Sequence, residues 1–227
     1  MESYAVKPIA RLRCDLPDKF GLPRQAGIVE ELEGLVVFEP EYRNPDALRG
    51  IEGFSHLWLI WQFSEAVRSD WSPTVRPPRL GGNTRVGVFA TRSPFRPNAL
   101  GLSCVRLLGV ETDPALGPVL RVGGADLMDG TPIFDVKPYL PYADSRPEAR
   151  AGFAPDSGAT LAVAYLPGTQ ERIPAEKRAA LTGVLANDPR PRYQNDPERV
   201  YGLRFAGRNV KFRVADGKLT VVAVEEE

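Results

Sequence analysis

The sequence predicts a mainly β protein, because short apolar runs alternate with turn residues along most of its 227 residues. Its 21 glycines and 22 prolines are scattered rather than packed into one tract, which favours short strands over long helices. An apolar fraction of 43% and a charged fraction of 26% are typical of a globular chain with a hydrophobic core. We therefore expect an N-terminal β domain followed by a small C-terminal α+β domain.

Apolar runs of strand length fill the first half of the chain. Phe54–Phe63 is almost continuously apolar and has no helix start signal, so we predict a strand buried on both faces. A turn at Asp113–Pro118 predicts a hairpin between its neighbours. Ile133–Lys137 alternates apolar and charged residues, as a half-buried strand does. The predicted strands are Val6–Leu12, Leu35–Phe38, Phe54–Phe63, Arg85–Thr91, Leu102–Val110, Val119–Val122 and Ile133–Lys137.

The composition changes after about residue 144. Small and polar residues interrupted by Pro147 and Pro155 predict a linker over 145–160, which places the domains at 1–144 and 161–227. Pro174–Leu185 has a proline at its start and apolar spacing of three to four, which predicts a helix. The remaining apolar runs predict strands joined by tight turns. They are Leu161–Tyr165, Val200–Phe205, Val210–Val214 and Leu219–Val224.

Cysteine and histidine are scarce. Cys14 and Cys104 form neither a disulfide framework nor a zinc motif, so we expect reduced thiols. The single histidine, His56, excludes sites built on two or three His ligands from one chain, and no metal is expected. No signal peptide is apparent, and no stretch approaches the ~20 apolar residues of a membrane-spanning helix. The sequence predicts a soluble, cytoplasmic protein without membrane contact.

Positive charge is concentrated in the middle of the chain, although the net charge is zero. Between Thr74 and Arg106 there is no acidic residue and no lysine. Arginine binds phosphate and carboxylate through a planar fork of donors, so this segment predicts an anionic partner. The alternative is that these arginines pair with the acidic residues between Glu30 and Glu41. The arginines are Arg76, Arg79, Arg85, Arg92, Arg96 and Arg106.

The C-terminal region carries further basic residues, and tyrosines lie among them. Phosphate pairing together with base stacking is typical of RNA contact. We therefore predict RNA-binding roles for Arg190, Tyr193 and Lys211, and for Arg76, Arg79, Arg85 and Arg96 of the central segment.

Several motifs fail on inspection. The Gly123–Asp126 segment is not a dinucleotide fingerprint, and the turn from Asp126 to Gly130 lacks the acids of a calcium loop. Ser55 and His56 are strand neighbours without a nucleophile elbow, so we expect them to face opposite ways. His56 is therefore expected to be a hydrogen-bonded core residue rather than a catalytic one.

Four loops rich in small and rigid residues remain, and they are long enough to be specific. On these motifs the whole chain resembles the TrmO (TsaA-like) family of tRNA methyltransferases. A later DPRP motif at Asp188–Pro191 resembles the C-terminal segment of that family. The loops are FGLPRQ (Phe20–Gln25), RPPRLGGN (Arg76–Asn83), ATRSPFRPNALGLS (Ala90–Ser103) and DLMDGTPIFDVKPYLPY (Asp126–Tyr142).

The resemblance implies methylation, with S-adenosylmethionine as cofactor, of the N6 atom of threonylcarbamoyl-adenosine (t6A) beside the anticodon of tRNA. It implies a compact β-barrel that binds the cofactor without a Rossmann fold, in a homodimer with the cofactor near the subunit interface. Many members have a His where this chain has Ser64 and Glu65. The implied cofactor contacts are Pro23, Arg24, Gln25, Ser64, Glu65, Arg92, Leu102, Asp129, Gly130, Thr131 and Pro132.

Methyl transfer from a sulfonium is an in-line displacement, so the protein mainly aligns the reactants and excludes water. The N6 atom of threonylcarbamoyl-adenosine is amide-like, and a nearby base would help it react. We predict Asp129, Asp135 and Tyr139 as catalytic candidates. A structural ion pair with Lys137 is the alternative for Asp135.

Two other functions stay open at this point. One is a non-catalytic RNA- or nucleotide-binding β-barrel whose arginines only hold phosphate. The other is a hydrolase that uses Ser55 or Cys104 with His56.

Overall fold

The computed structural model describes residues 2, 4–156, 158–191 and 196–227. Strands dominate, as the sequence predicted, and most of the helical segments are single 3-10 turns. The strands are β1 (Ala10–Cys14), β2 (Glu33–Phe38), β3 (His56–Gln62), β4 (Thr74–Val75), β5 (Val86–Gly87), β6 (Leu100–Asp113), β7 (Gly117–Gly123), β8 (Pro132–Pro138), β9 (Ala162–Tyr165), β10 (Tyr201–Phe205), β11 (Arg208–Ala215) and β12 (Lys218–Glu226), and the helices are α1 (Pro141–Asp144) and α2 (Arg178–Ala186).

Six antiparallel strands close into a barrel in the order β1-β2-β7-β6-β3-β8. Closure depends on β1, where Ala10 pairs with Phe38 of β2 on one side and with Ile133 of β8 on the other. The predicted hairpin is formed by β6 and β7, with Asp113 opposite Gly117. A closed sheet leaves no free edge, which removes a route to aggregation.

The barrel interior is filled by aliphatic side chains from every second strand position. In β3, Leu57 and Leu59 are fully buried and alternate with half-buried neighbours, so the expectation of a strand buried on both faces is wrong. The outward face of β3 carries large but amphipathic rings such as Trp58, which hid the alternation. Each fully buried aliphatic side chain contributes ~1.5–3 kcal/mol relative to exposure.

The predicted strand over Arg85–Thr91 is also wrong. Only Val86–Gly87 forms a strand, paired with the two residues of β4, and Val88–Ala90 is a 3-10 turn. Prolines flank this segment on both sides and lack the N–H group that a longer ladder needs. The segment therefore forms a loop outside the barrel.

The C-terminal residues form a four-stranded sheet, β10-β11-β12-β9, with α2 after β9. The predicted meander is present, and the predicted helix is a 3-10 turn at Ala175–Lys177 followed by α2. The core of this sheet includes Leu16, Val29 and Leu32 from the first half of the chain. The two parts of the protein therefore share one apolar core where they meet.

Candidate functional site

Two adjoining cavities lie where β3 and β6 meet the surrounding loops. The large cavity has a volume of about 710 Å³ and the small cavity about 140 Å³. An aromatic wall separates them on one side, where Trp61 and Phe63 pack edge to face with ring centroids 4.3 Å apart. The residues that line both cavities are Leu22, Trp61, Phe63, Pro94 and Asp126.

A glycine fixes the position of Trp61. Trp61 and Gly101 are paired across β3 and β6, and a Cβ atom on Gly101 would lie 2.2 Å from Cε2 of the Trp61 ring. Only a residue without a side chain allows the indole to lie flat against β6. The wall of both cavities therefore depends on Gly101.

Asp126 follows β7 and is tied to this wall by a chain of hydrogen bonds. Trp61 Nε1 donates to Ser103 Oγ at 2.9 Å, and Ser103 Oγ donates to Asp126 Oδ1 at 2.5 Å. Burial raises the pKa of the Asp126 carboxyl, while the Ser103 hydrogen bond and the Arg92 charge act in the opposite direction. Sequence reasoning missed this residue, although it opens the DLMDGTP motif.

The predicted cofactor contacts divide between the two cavities. Five of them line the large cavity, and three, Ser64, Glu65 and Thr131, line the small one. Glu65 is paired with Lys19 at 3.0 Å, whereas Thr131 is buried. The structure thus brings eight of these residues to one continuous region. Those at the large cavity are Pro23, Arg24, Gln25, Arg92 and Leu102.

Asp129, Gly130 and Pro132 are held by the fold in other ways. Asp129 Oδ1 accepts a hydrogen bond from the Cys14 backbone N–H at 3.0 Å, and the residue lines a separate charged cleft of about 310 Å³. The Gly130 carbonyl accepts from the Arg11 guanidinium at 3.2 Å, and Pro132 is buried in β8. Burial raises the pKa of the Cys14 thiol beside this cleft to about 12. The cofactor and catalytic roles predicted for these residues stay predictions.

The other two catalytic candidates lie near β3. Asp135 forms an ion pair with Lys137 at 3.2 Å, as in the structural role that was the alternative to catalysis for this residue. The ring of Tyr139 packs on Trp58 and His56, with centroid distances of 5.8 and 6.2 Å. Of these residues, Trp58 lines the large cavity.

A third cavity of about 670 Å³, the linker cavity, adjoins the large one and is bounded by residues 151–156. It shares Arg24, Gln25, Phe89 and Arg92 with the large cavity. Arg79 holds the linker in place, because its guanidinium donates to the Asp156 carbonyl at 2.5 Å.

The central arginines differ in their partners. Arg79 pairs with Asp156, and Arg106 with Glu30 at 3.5 Å. Within the described ranges, no carboxylate lies within 4.0 Å of the other four guanidinium groups. Three of those four are oriented by neutral oxygens: Arg85 donates to Thr74 Oγ1 at 3.0 Å, Arg96 to the Thr91 carbonyl at 3.1 Å, and Arg92 to Gln25 Oε1. The four arginines with no carboxylate within 4.0 Å among the described residues are Arg76, Arg85, Arg92 and Arg96.

The described C-terminal residues predicted to bind RNA are less available to it, because they lie beside carboxylates. Arg190 forms a bidentate pair with Asp188, at 2.9 and 3.0 Å, and its side chain is only 10% exposed. Lys211 lies 3.8 Å from Glu225. Tyr193 lies outside the described residues. The Asp188 carbonyl also accepts a hydrogen bond from Arg24 at 3.5 Å, which links the DPRP motif to the large cavity.

The hydrolase candidates Ser55, His56 and Cys104 line none of the four cavities described above. Ser55 Oγ and His56 Nδ1 are 2.9 Å apart, so the expectation that they face opposite ways is wrong, because Ser55 precedes β3 and is not held by its alternation. His56 is half-buried rather than a core residue. Cys104 lies opposite Trp58 in the ladder, and burial raises the pKa of its thiol.

The described residues contain no group of three or more His, Cys, Asp and Glu side chains arranged to hold a metal ion. In the same residues, no helix has both the length and the apolar character required to span a membrane.

The lining of the two cavities fits S-adenosylmethionine chemically. Aromatic rings offer faces for a flat base, and the Glu65 carboxylate at the small cavity suits a positive amino group. The arginines of the large cavity suit the carboxylate that the methionine part of the molecule carries beside its amino group.

Comparison with known proteins identifies the family. The model of the tRNA-methyltransferase O N-terminal domain matches residues 11–145, and that of the TrmO C-terminal domain matches residues 159–227. The chain is 42% identical to the tRNA (adenine(37)-N6)-methyltransferase of Escherichia coli K12, with 99% of each chain covered. It is 46% identical to the enzyme of that name from Eikenella corrodens, over 75% of this chain and 97% of that one. The crystal structure of TrmO from Pseudomonas aeruginosa superposes with a TM-score of 0.82 at 31% identity, covering 98% of both chains. The chain belongs to the tRNA-methyltransferase O family.

Proposed function

We propose that this protein methylates the N6 atom of threonylcarbamoyl-adenosine at position 37 of tRNA, with S-adenosylmethionine as methyl donor. Membership of the family makes the chain an S-adenosylmethionine-dependent tRNA methyltransferase. The observation that carries the finer proposal is the pair of arginines at the large cavity, Arg92 and Arg96, which have no carboxylate partner among the described residues. The threonylcarbamoyl group ends in a carboxylate, which suits guanidinium groups whose partners are neutral oxygens.

The cofactor contacts in this proposal are the residues implied by the resemblance. Those that line the two cavities surround the volume in which the donor would lie. Bound S-adenosylmethionine supplies a methyl group on a positively charged sulfur. The residues of this chain orient the reactants and exclude water from them.

Exposed arginines on the rim of the site are proposed to hold the RNA. Arg76 and Arg85 are solvent-exposed and lie on the loops that lead into the linker cavity. Neither has a carboxylate within 4.0 Å among the described residues, so phosphate pairing would displace no ion pair. Arg190 is proposed to act indirectly, by holding the Asp188 turn.

A homodimer is part of the proposal. Large apolar side chains near the cavities are exposed, including Phe89 at 72% and Leu102 at 56%. Both side chains line the large cavity, and exposed apolar side chains grouped in one place are typical of an interface. Leu102 is also a proposed cofactor contact, which suits a cofactor near the subunit boundary. Because the substrate is tRNA, we propose that the protein acts in the cytoplasm.

A comparison of two tRNA substrates tests the function. Purified protein and S-adenosylmethionine are incubated with tRNA that carries threonylcarbamoyl-adenosine and with the same tRNA lacking that group, and nucleosides are quantified by mass spectrometry. We expect methylation of the first tRNA only. Cofactor binding without methyl transfer to either tRNA would instead favour a non-catalytic RNA-binding barrel.

A further inference from the structure

Asp126 stands apart from the other residues at the junction of the two cavities. Of the described residues that line both, it is the only one with a titratable side chain. Its companions there are apolar or aromatic, and the carboxylate is half-buried among them, so its charged form is poorly solvated. A poorly solvated carboxylate at the centre of a site is a candidate for a chemical role.

Hydrogen bonding fixes the direction of this carboxylate. Ser103 is buried in β6 and donates to Asp126 Oδ1 at 2.5 Å, while its own oxygen accepts from Trp61 Nε1 at 2.9 Å. The indole is in turn held against Gly101. The carboxylate lies in the loop after β7 and is held in position by side chains of a rigid strand pair.

The other acidic residues near the site are already engaged. Glu65 pairs with Lys19 at 3.0 Å and Asp135 with Lys137 at 3.2 Å. Asp129 accepts the backbone N–H of Cys14 and lines the separate charged cleft. None of these three residues lines both cavities, as Asp126 does.

We propose that the Asp126 carboxylate accepts the proton that leaves N6 of the modified adenosine during methyl transfer. This inference rests on the proposed function, since a carbamoylated N6 is a weak nucleophile that must lose its proton. The N6–methyl bond forms while the methyl–sulfur bond breaks, and the electron pair of the broken bond stays on sulfur as a neutral thioether. The N6–H bond breaks, its electron pair stays on nitrogen, and the proton ends on Asp126 as a neutral carboxylic acid.

The charge change of this step suits the cavity. One positive sulfonium and one negative carboxylate become two neutral groups, and a water-poor aromatic site favours such neutralisation. Burial also raises the pKa of Asp126, so it holds a proton more tightly than a surface carboxylate does.

Asp126→Asn is the direct test, because the amide keeps the size of the side chain and still accepts from Ser103. With t6A-containing tRNA, we expect kcat to fall by about 10²–10⁴, the usual contribution of general-base catalysis. The Kd for S-adenosylmethionine, measured by calorimetry, should stay within about threefold of wild type. Asp46→Asn serves as the control, since Asp46 is an exposed partner of Arg49 outside the site.

Ser103→Ala tests the role of Asp126 through the pH dependence of kcat, which a purely structural role of Asp126 would leave unchanged. Loss of its hydrogen bond raises the pKa of Asp126 further, so the acid limb of the kcat–pH profile should move to higher pH. An unshifted limb, a near-normal kcat for Asp126→Asn, or a parallel loss of cofactor affinity would each overturn the proposal. In all three cases wild-type activity on tRNA would still uphold the proposed function. Failure of the wild type to methylate tRNA would overturn both.

Discussion

The Trp61 indole N–H donates to the Ser103 hydroxyl oxygen at 2.9 Å, and through Ser103 this bond connects the aromatic wall of the site to the half-buried Asp126 carboxylate. Both residues are buried, so neither can exchange its partner for water. The bond also leaves the Ser103 proton free to point at Asp126. The arrangement predicts how the site responds to several substitutions.

Ser103→Ala should lower the free energy of unfolding by ~1–3 kcal/mol, because it strands a buried donor on Trp61 and removes a donor to Asp126. Chemical denaturation of the two proteins measures the change. Ser145→Ala, at an exposed position, is the control and should have little effect. Equal stability of wild type and Ser103→Ala would contradict the hydrogen-bond chain.

Gly101→Ala should disrupt both stability and cofactor binding, since its Cβ would lie 2.2 Å from the Trp61 ring. Overpacking of this kind costs ~1–3 kcal/mol, and displacement of the ring would weaken S-adenosylmethionine binding measured by calorimetry. Gly109→Ala, in the same strand, is a matched control because nothing lies within 4 Å of its added Cβ. Unchanged affinity in Gly101→Ala would show that Trp61 does not shape the cofactor site.

Asp126→Asn should be more stable than wild type at neutral pH. Burial raises the folded-state pKa of Asp126, so its contribution to stability is full below the ordinary Asp pKa of ~3.9 and is lost as pH rises through the folded pKa. Asn carries no such penalty. The difference in unfolding free energy between the two proteins, measured at pH 4 and pH 8, should therefore grow with pH. A variant that becomes relatively less stable at pH 8 would refute this.

Arg76→Ala and Arg85→Ala should weaken tRNA binding without changing the affinity for S-adenosylmethionine. If each guanidinium pairs with one phosphate, each substitution reduces the slope of log K against log salt concentration by about 0.7–0.9. Filter binding at several salt concentrations measures the slope. Arg49→Ala is the control, because Arg49 is exposed and already paired with Asp46. Identical slopes for all four proteins would remove these arginines from the RNA interface.

Arg190→Ala should act through stability rather than through direct RNA contact. Its bidentate pair with Asp188 is largely shielded from water, and hydrogen bonds to charged groups contribute ~1.5–3 kcal/mol. Arg190→Lys should restore little, because an ammonium group cannot form the two parallel bonds. The melting temperatures of the three proteins give the answer. If the Arg190→Ala protein is as stable as wild type but binds tRNA weakly, Arg190 contacts RNA directly, as the sequence predicted.

Local signals in the sequence were sufficient for the C-terminal meander. Its two tight turns place Ala206–Gly207 and Asp216–Gly217 at positive φ, as two-residue hairpin turns require. Barrel closure could not be predicted in this way, because Ala10 pairs with Ile133, which is separated from it in sequence by most of the N-terminal half. No local pattern records such a long-range pairing.

The candidate site shows the same division. Motifs identified the loops that carry the cofactor residues, because glycine, proline and arginine at fixed spacing are visible in the sequence. Asp126 and Asp129 look equivalent there, three residues apart in one turn. In the folded protein, Asp126 accepts a hydrogen bond from Ser103 of another strand, whereas Asp129 accepts one from the backbone N–H of Cys14. That distinction exists only after folding.

Locating the transferred methyl group tests the central claim most directly. The protein is incubated with S-adenosylmethionine that carries a deuterated methyl group and with tRNA from cells that lack the activity, and the nucleosides are fragmented in a mass spectrometer. The account predicts the label on N6 of threonylcarbamoyl-adenosine. A label on any other atom, or tRNA that stays unlabelled while the cofactor is bound, would contradict it.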